Sequence, residues 1–415
     1  MPVMDNRETK NPRRQRRLSP LVGNLLLAGA ALLGSLLICE LVLRVMFIGF
    51  PVYVWTHPVR GVEHIPGMRS LHKYEGHWWI EINSDGWRGP ETSLQPAPGT
   101  LRIALLGDSF IEAFEVPFEQ TVGEVIERQL SPLLKRPVEV LNFGIGGYGT
   151  SQELLTLQHD VWKYSPHLVL LAITTGNDIS DNYRPLKRNN YVPYHLLHDS
   201  VLVVDTSFLQ ARGYRSRAFW SHALQPLIEH SRVAQVINRV RHLKRKEARG
   251  EEHAEETTME EPGLSNDVQL PPSTPQWREA WRVTEAVLRA MRDECRRKNT
   301  PFAMVTLTRG IQVWPSPEKK ERFLRQLGVK DFYYPERRLE AFGNREGIPV
   351  LTLAPRMAEM AVERHVYYHA EHGVLGIGHW AKQGHQTAGE LISSWLAGEL
   401  ANKWREASPS PVTAR

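Results

Sequence analysis

The first group in the chain that could do chemistry is the triplet Gly107-Asp108-Ser109, which directly follows an apolar run over residues 103–106. The run has the length and bulk of a buried parallel strand. Ligands bind at the carboxyl ends of strands in open α/β sheets, so a serine here can meet a substrate while the strand behind it stays rigid. A serine hydroxyl becomes an effective nucleophile when an imidazole takes its proton. The triplet is also ordinary turn composition, and its local pattern leaves both interpretations open.

Three further segments follow in the chain, at residues 141–152 (LNFGIGGYGTSQ), 174–178 (TTGND) and 376–385 (GIGHWAKQGH). In order and spacing, and with the Gly-Asp-Ser triplet leading, they resemble the four blocks of the SGNH (GDSL-type) hydrolases. The resemblance covers about residues 78–399. It implies a serine esterase with an acyl-serine intermediate, on an SGNH/flavodoxin-like α/β fold.

The resemblance also implies a role for each matching residue. Ser109 corresponds to the nucleophile and His379 to the general base, while Ser109, Gly147 and Asn177 correspond to the oxyanion hole. Glycine lets the backbone approach a substrate closely, and an asparagine amide donates a hydrogen bond without adding a charge. Removing one oxyanion donor typically costs about 2.7 to 4 kcal/mol of transition-state stabilisation.

One position departs from the family pattern, because Gly376 stands where the family usually has an aspartate three residues before the histidine. Three arrangements stay open: a Ser-His dyad with a backbone carbonyl orienting His379, an acid from elsewhere such as Glu371, or a weakened or lost activity. The dyad is favoured. His385 and His372 are rival bases, but only His379 has the motif position.

Alternating strands and helices predict a three-layer α/β/α sandwich with a mainly parallel sheet. Asn142, Gly144 and Asn177 then fall at strand ends on one edge, and His379 is expected on a glycine-rich loop that reaches Ser109. The predicted strands cover residues 103–106, 138–141, 168–173, 302–307 and 349–353, and the predicted helices cover residues 121–134, 152–162, 277–298 and 380–400.

The N-terminus predicts a membrane anchor. Residues 1–20 carry six Arg and Lys residues, and residues 21–45 are apolar enough for one transmembrane signal-anchor helix. A cleaved signal peptide is the alternative, but the run is long and no small-x-small cleavage site follows it. The basic tail favours a cytoplasmic N-terminus, which places the rest of the chain in the periplasm or outside the cell.

The remaining chain divides by composition. Residues 46–100 form an aromatic-rich lead-in, in which Trp78 and Trp79 could line a sugar site but more often such residues pack on the core. Residues 101–400 form the hydrolase-like domain. It contains an insertion at 183–241 and a polar segment at 242–276 that is predicted to be a disordered linker. Residues 401–415 form a C-terminal tail.

Composition narrows the choice of partners. The formal net charge of +5 is explained by membrane topology, so no nucleic-acid partner is predicted. Two cysteines, one of them in the apolar run, leave no disulfide within the domain. The histidines show no metal-ligand spacing, and Asp178, Asp181 and Asn182 fit turn and cap roles, so no metal or cofactor is predicted.

These observations together predict a membrane-anchored extracytoplasmic serine esterase. Its location suggests O-acyl groups on envelope or exported glycans as the substrate. An O-acyltransferase shares the acyl-serine intermediate and differs only in whether a sugar or water attacks it. A non-catalytic glycan- or partner-binding protein with a decayed site is the third interpretation, and Gly376 is the residue that supports it.

Overall fold

A computed structural model describes residues 19–72, 77–247 and 265–400. The chain divides into two compact units, one made of residues 1–52 and 224–252 and the other of residues 53–223 and 253–415. Most of the predicted basic tail and all of the predicted C-terminal tail lie outside the described residues.

The larger unit is built on one five-stranded sheet with the strand order β11-β10-β7-β5-β6, in which every neighbouring pair is parallel. Four two-stranded antiparallel sheets surround it. The strands in chain order are β1 (Val54–His57), β2 (Gly61–His64), β3 (Arg69–His72), β4 (Trp78–Glu81), β5 (Leu101–Gly107), β6 (Val138–Gly144), β7 (Leu168–Thr174), β8 (Tyr194–His198), β9 (Val201–Asp205), β10 (Phe302–Leu307), β11 (Val350–Thr352), β12 (His369–Glu371) and β13 (Val374–Trp380).

Helices of the larger unit cover both faces of the sheet. The helices of the described residues in both units are, in chain order, α1 (Pro20–Val45), α2 (Ser109–Glu112), α3 (Val122–Leu134), α4 (Thr150–His159), α5 (Asp178–Asp181), α6 (Arg184–Lys187), α7 (Tyr214–Ala223), α8 (Gln225–His230), α9 (Arg232–Glu247), α10 (Pro275–Arg297), α11 (Pro317–Leu327), α12 (Tyr334–Glu346), α13 (Ala354–Arg364) and α14 (Lys382–Trp395). Short 3-10 turns and a π turn at Leu396–Leu400 complete the described chain.

The side chains of β5 show why the fold has three layers. Ala104 and Leu106 enter the core that α4, α10 and α12 close, whereas Ile103 and Leu105 enter the core that α3, α13 and α14 close. A strand buried on both faces is mainly apolar, and in β5 residues 103–106 are apolar without interruption. The predicted α/β/α sandwich with a parallel sheet is confirmed.

Two sequence predictions differ from the structure. The insertion contains the hairpin β8–β9, which was not predicted, and the predicted disordered linker at 242–276 is ordered at both of its described ends. Helix α9 continues to Glu247, and a 3-10 turn at Asn266–Gln269 buries Val268 in the core. Val268 is a buried apolar residue within this polar segment, and an average over the composition of the segment does not reveal it. The remainder, residues 248–264, lies outside the described residues.

The smaller unit begins with α1, whose length and composition are sufficient for a membrane span. The Ser19 side chain accepts a hydrogen bond from the Val22 amide, and Pro20 occupies the first helical position, so the sequence itself starts this helix. Among the described residues, α1 is the one helix that passes this test.

Replacing Gly144 by alanine is expected to destabilise the fold and to displace α2. An added Cβ would lie 2.3 Å from the Glu112 amide nitrogen and 2.6 Å from the Ile111 carbonyl carbon, and backbone atoms cannot rotate away. Overpacking of this kind costs about 1–3 kcal/mol or more, which thermal unfolding followed by circular dichroism measures.

Gly123→Ala is the matched control for this prediction. An added Cβ there meets its nearest neighbour, Val140 Cγ1, at 3.4 Å inside helix α3, where alanine is favoured over glycine. Equal unfolding midpoints for the two variants would contradict the predicted backbone clash.

Candidate active site

Ser109 lies where the pattern placed it, directly past the carboxyl end of β5 and at the first position of α2. Asp108 caps this short helix, because its carboxylate accepts a hydrogen bond from the Phe110 amide at 3.0 Å. Ser109 is partly exposed, whereas Asp108 is fully buried. The hydroxyl is therefore accessible on a rigid support.

His379 faces this serine. Its Nε2 lies 2.8 Å from Ser109 Oγ. His379 was expected on a loop, but it belongs to β13, whose pairing with β12 includes His369 opposite Trp380. His369 holds the hairpin in place through Nδ1, 2.7 Å from the Gly378 carbonyl, and through Nε2, 2.8 Å from Thr308 Oγ1.

A third side chain, Glu115, completes the chain of hydrogen bonds. Its Oε1 lies 2.9 Å from His379 Nδ1, on the side of the ring away from Ser109. This contact assigns the proton of the neutral imidazole to Nδ1 and leaves Nε2 free to accept the Ser109 proton. The prediction of a Ser-His dyad, in which a backbone carbonyl orients His379, is therefore wrong for this structure. Glu371, the acid suggested as an alternative, is not the carboxylate that contacts His379.

The geometry at Gly376 explains why no carboxylate stands there. Gly376 has φ of +87°, and an added Cβ would lie 3.2 Å from both the Trp314 and the Tyr367 rings. A side chain is disfavoured by the backbone conformation and by the space. The acid instead comes from the segment that follows Ser109. No spacing rule marks Glu115 in the sequence, although it lies within the stretch that carries the first motif.

The aromatic lead-in positions the loop that carries Glu115. The buried Arg88 guanidinium donates to the carbonyl oxygens of Glu112 at 2.7 Å and Val116 at 2.6 Å, and also to that of Ala113. Ala113 has φ of +56°, so the chain reverses there in a left-handed turn. Three charge-assisted bonds to carbonyl groups within five residues hold this loop in one conformation.

A second contact between the lead-in and the same loop comes from His64. Its Nε2 lies 2.6 Å from Glu112 Oε1, and its Nδ1 lies 3.1 Å from the Gly86 carbonyl. Trp78 adds a third contact by donating from Nε1 to the Phe114 carbonyl at 3.2 Å. The sequence pattern did not indicate this supporting role for the lead-in.

Asn177 and Gly147 lie at the ends of the two strands that flank β5. Asn177 Nδ2 donates to Asp108 Oδ2 at 3.2 Å, which fixes the amide next to the residue that precedes Ser109. Gly147 lies three residues past Gly144, the partner of Gly107 in the sheet register. Gly147 has φ of +79° and is exposed.

Lys187 ties the Gly147 loop to its surroundings. Its Nζ donates to the Gly147 carbonyl at 2.6 Å and to Asp181 Oδ2 at 2.7 Å. With the carbonyl of Gly147 held by this ammonium, the orientation of the neighbouring peptide groups is restricted.

The electrostatics of the site follow from its burial and its carboxylate. Burial disfavours the charged imidazolium of His379, but the charge of Glu115 and its hydrogen bond outweigh this and raise the pKa of His379 to about 9. Burial likewise opposes the charged form of Glu115, yet the His379 charge and hydrogen bond hold the pKa of Glu115 below its ordinary value. The two groups stabilise each other as an ion pair.

The other residues considered from the sequence lie elsewhere. His385 is buried inside α14 against the Trp380 ring, and burial lowers its pKa to about 3. His372 lies in the turn of the β12–β13 hairpin. Asn182 donates its amide to Thr284 Oγ1 at 2.9 Å, which is a structural role. No group of three metal-ligating side chains occurs in the part of the chain that the structure describes.

Trp78 and Trp79 line a cleft of about 700 Å³, and the described residues around this cleft do not include Ser109 or His379. Arg69 lies over the Trp79 ring at 4.5 Å, and His72 stacks on Trp78 at 5.3 Å. Both rings therefore have one face covered by the protein's own side chains.

Comparison with known proteins finds similar solved structures and no other match. No family model matches the chain, and no curated protein matches it. Similar solved structures include the acetyl xylan esterase AlAXEase, at 11% identity over 72% of this chain and 100% of that one, with a TM-score of 0.36. A lipase/acylhydrolase from Enterococcus faecalis matches at 13% identity over 72% and 96% of the two chains, with a TM-score of 0.35.

A third similar structure is that of a protein assigned to the lipolytic G-D-S-L family from Desulfitobacterium hafniense DCB-2. It matches at 11% identity over 71% of this chain and 98% of that one, with a TM-score of 0.31. Identities and scores of this size carry no argument about activity.

Proposed function

We propose that the protein is a serine esterase in which Ser109, His379 and Glu115 act as nucleophile, general base and orienting acid. The observation that carries this proposal is the continuous chain of hydrogen bonds from Ser109 Oγ through the two nitrogens of His379 to Glu115. A nucleophile within reach of a base, and a base oriented by a third group, is the arrangement that nucleophilic acyl transfer requires.

In the first half of the reaction, His379 Nε2 takes the proton from Ser109 Oγ as the oxygen attacks the carbonyl carbon of the ester. The resulting oxyanion is stabilised by the amide N–H groups of Ser109 and Gly147 and by the Asn177 side chain. The C–O bond to the alcohol then breaks, and His379 returns the proton to the departing oxygen. Water repeats the sequence on the acyl-serine and releases the acid.

Glu115 supports both proton transfers because its charge favours the imidazolium that forms in each of them. It also keeps the ring in the orientation that aims Nε2 at Ser109. Since the carboxylate is present, the absence of an aspartate at Gly376 does not by itself indicate a decayed site.

For location, we propose that α1 anchors the chain in a membrane, with the N-terminus in the cytoplasm and the larger unit on the extracytoplasmic side. The length and composition of α1 and the basic residues before it support this proposal. An extracytoplasmic esterase would meet O-acyl groups on envelope or exported glycans. Alkaline carbonate extraction of membranes tests the anchor, because a chain whose leader is cleaved would be released.

The test of the chemistry uses the full chain in detergent with p-nitrophenyl acetate and butyrate. We expect a burst of p-nitrophenol as Ser109 is acylated, followed by steady turnover, and mass spectrometry of the quenched protein should find the acyl group on Ser109. Adding sugar acceptors measures how the acyl group divides between water and a hydroxyl, which separates a hydrolase from an acyltransferase. Absence of both burst and acylation would contradict the proposal.

Asn177→Ala is expected to lower kcat by about 10²–10³-fold with little change in KM, because the donor acts on the oxyanion and not on the ground-state carbonyl. Steady-state kinetics with p-nitrophenyl acetate measure this split. Asn344→Ala, on the exposed surface of α12, is the control and should leave both constants unchanged. A rise in KM at constant kcat for Asn177→Ala would instead indicate a role in substrate binding only.

A further inference from the structure

Helix α9 carries a feature that the proposed chemistry does not use. Within residues 232–247 there are six Arg and Lys residues and one Glu. Ile237, Val240 and Leu243 are nonetheless 53%, 45% and 43% exposed. A folded chain rarely leaves three such side chains in water along one helix unless something covers them.

The exposed apolar residues lie along one side of the helix. Successive intervals of three residues keep Ile237, Val240 and Leu243 within a single stripe, with Asn238 on the opposite side. Arg239 and Arg241 lie at the two borders of the stripe. An apolar stripe bordered by cations is the pattern of helices that lie in the interface of a membrane with anionic lipids.

The start of α9 is tied to the end of α1. Both carboxylate oxygens of Glu40 are used: Oε1 accepts the Arg232 amide, and Oε2 accepts the Val233 amide, each at 3.0 Å. The Ser231 hydroxyl also donates to Glu40, at 3.1 Å. Glu40 thus caps the N-terminus of α9 from another helix, which satisfies amide groups that a helix start leaves open.

Glu40 is the first charged residue after the apolar run of α1, which covers residues 21–39. Nineteen helical residues extend about 28 Å, close to the thickness of the hydrocarbon layer. If α1 spans a membrane, Glu40 lies at the outer interface, and α9 therefore begins there.

The segment that follows α1 also contacts α9. The Phe50 amide donates to Gln235 Oε1 at 3.0 Å, and the Arg239 guanidinium lies over the Phe50 ring at 5.8 Å. Helix α9 is therefore in contact both with the end of α1 and with the segment that follows it. The side of α9 that contacts Phe50 carries residues 235 and 239. These contacts therefore leave the apolar stripe uncovered.

We infer that α9 lies in the outer membrane–water interface, with Ile237, Val240 and Leu243 among the lipid chains and with Arg241 and Lys244 on anionic headgroups. Charge complementarity and the connection to the end of α1 favour a lipid surface as the occupant of this face. The inference rests on the proposed span of α1 and is independent of the proposed chemistry at Ser109.

The test uses the full chain in vesicles of phosphatidylcholine, with or without phosphatidylglycerol. Cys39→Ala provides the background, since Cys295 is buried and does not react with labels. Single cysteines at Ile237, Val240 and Asn238 are labelled with an environment-sensitive fluorophore, and lipids carrying nitroxide groups serve as quenchers. We expect a blue shift and strong quenching at 237 and 240, and neither effect at 238, in the vesicles that contain phosphatidylglycerol.

A charge variant tests the anionic component. Arg241→Gln combined with Lys244→Gln is expected to lower the quenching at 237 and 240 to the level seen in phosphatidylcholine alone. Arg364→Gln combined with Lys330→Gln removes the same charges from exposed sites of the larger unit and should change nothing. If the quenching at 237 and 240 is the same in the charge variant as in the unaltered background, the assignment to anionic lipid is overturned.

The remaining outcomes separate this inference from the proposed membrane span and from the proposed chemistry at Ser109. Equal quenching at positions 237, 238 and 240 would overturn the interfacial placement of α9. The absence of quenching at 237 and 240, in a chain that co-floats with the vesicles, would also overturn it and would indicate a protein partner for the apolar stripe. A chain that does not float would overturn the span and the inference together. Ester hydrolysis, measured separately, bears on neither.

Discussion

Replacing Ser109 by alanine is expected to lower kcat for p-nitrophenyl acetate by a factor on the order of 10⁶. The reason is that Ser109 Oγ is the atom 2.8 Å from the base His379, and alanine removes it while leaving the fold unchanged. Steady-state kinetics in detergent measure the loss. The acyl-enzyme seen by mass spectrometry should disappear in the same variant.

The control for this prediction is Ser394→Ala, an exposed serine of α14, which should keep wild-type kinetics. His379→Ala should lose about as much activity as Ser109→Ala, and the double variant should lose little more, because residues that act as a unit have non-additive effects. Losses that multiply in the double variant would mean that the two residues act independently. Activity that persists in Ser109→Ala would place the nucleophile elsewhere.

Replacing Glu115 by glutamine is expected to lower kcat by about 10⁴-fold, since it removes the charge that favours the imidazolium and allows the wrong tautomer. Glutamine keeps the size of the side chain, so the loop clamped by Arg88 should stay in place. Glu371→Gln is the matched control. Its carboxylate adds to the field at His379 without contacting the ring, and its loss should have a much smaller effect.

The pH profile distinguishes an orienting acid from a merely structural residue. His379 must be neutral to accept the Ser109 proton, and its pKa of about 9 leaves it mostly protonated at neutral pH. We therefore expect kcat/KM of the wild type to rise with pH, with a midpoint near that value. In Glu115→Gln the midpoint should move to lower pH, because the neutral amide no longer favours the charged ring. Identical midpoints in the two proteins would contradict the role of Glu115.

Glu115 also changes the balance between the functional alternatives. The non-catalytic interpretation rested on Gly376, where the resemblance to SGNH hydrolases leads one to expect an aspartate. A carboxylate at 2.9 Å from His379 Nδ1 supplies the missing interaction from another part of the chain. The hydrolase and the acyltransferase share this arrangement, so the acceptor experiment decides between them.

The central sheet of the larger unit could be predicted from the sequence because its signals are local. Runs of consecutive apolar residues, such as 168–173, are typical of strands buried on both faces, and helices between such strands favour parallel pairing. Parallel pairing in turn brings the carboxyl ends of β5, β6 and β7 to one edge. Ser109, Gly147 and Asn177 each follow one of these ends, so their common location was implied by their positions in the chain.

The identity of the acid was decided only by the tertiary structure. Glu115 reaches His379 because the chain reverses at Ala113 and because Arg88, from the lead-in, holds the carbonyl oxygens of the loop. None of these contacts follows a fixed spacing in the sequence. The same holds for the strand that carries His379 and for the capping of α9 by Glu40, since each depends on pairing between distant segments. Periodicity determines which residues are buried, whereas contacts between segments far apart in the chain determine which polar groups meet.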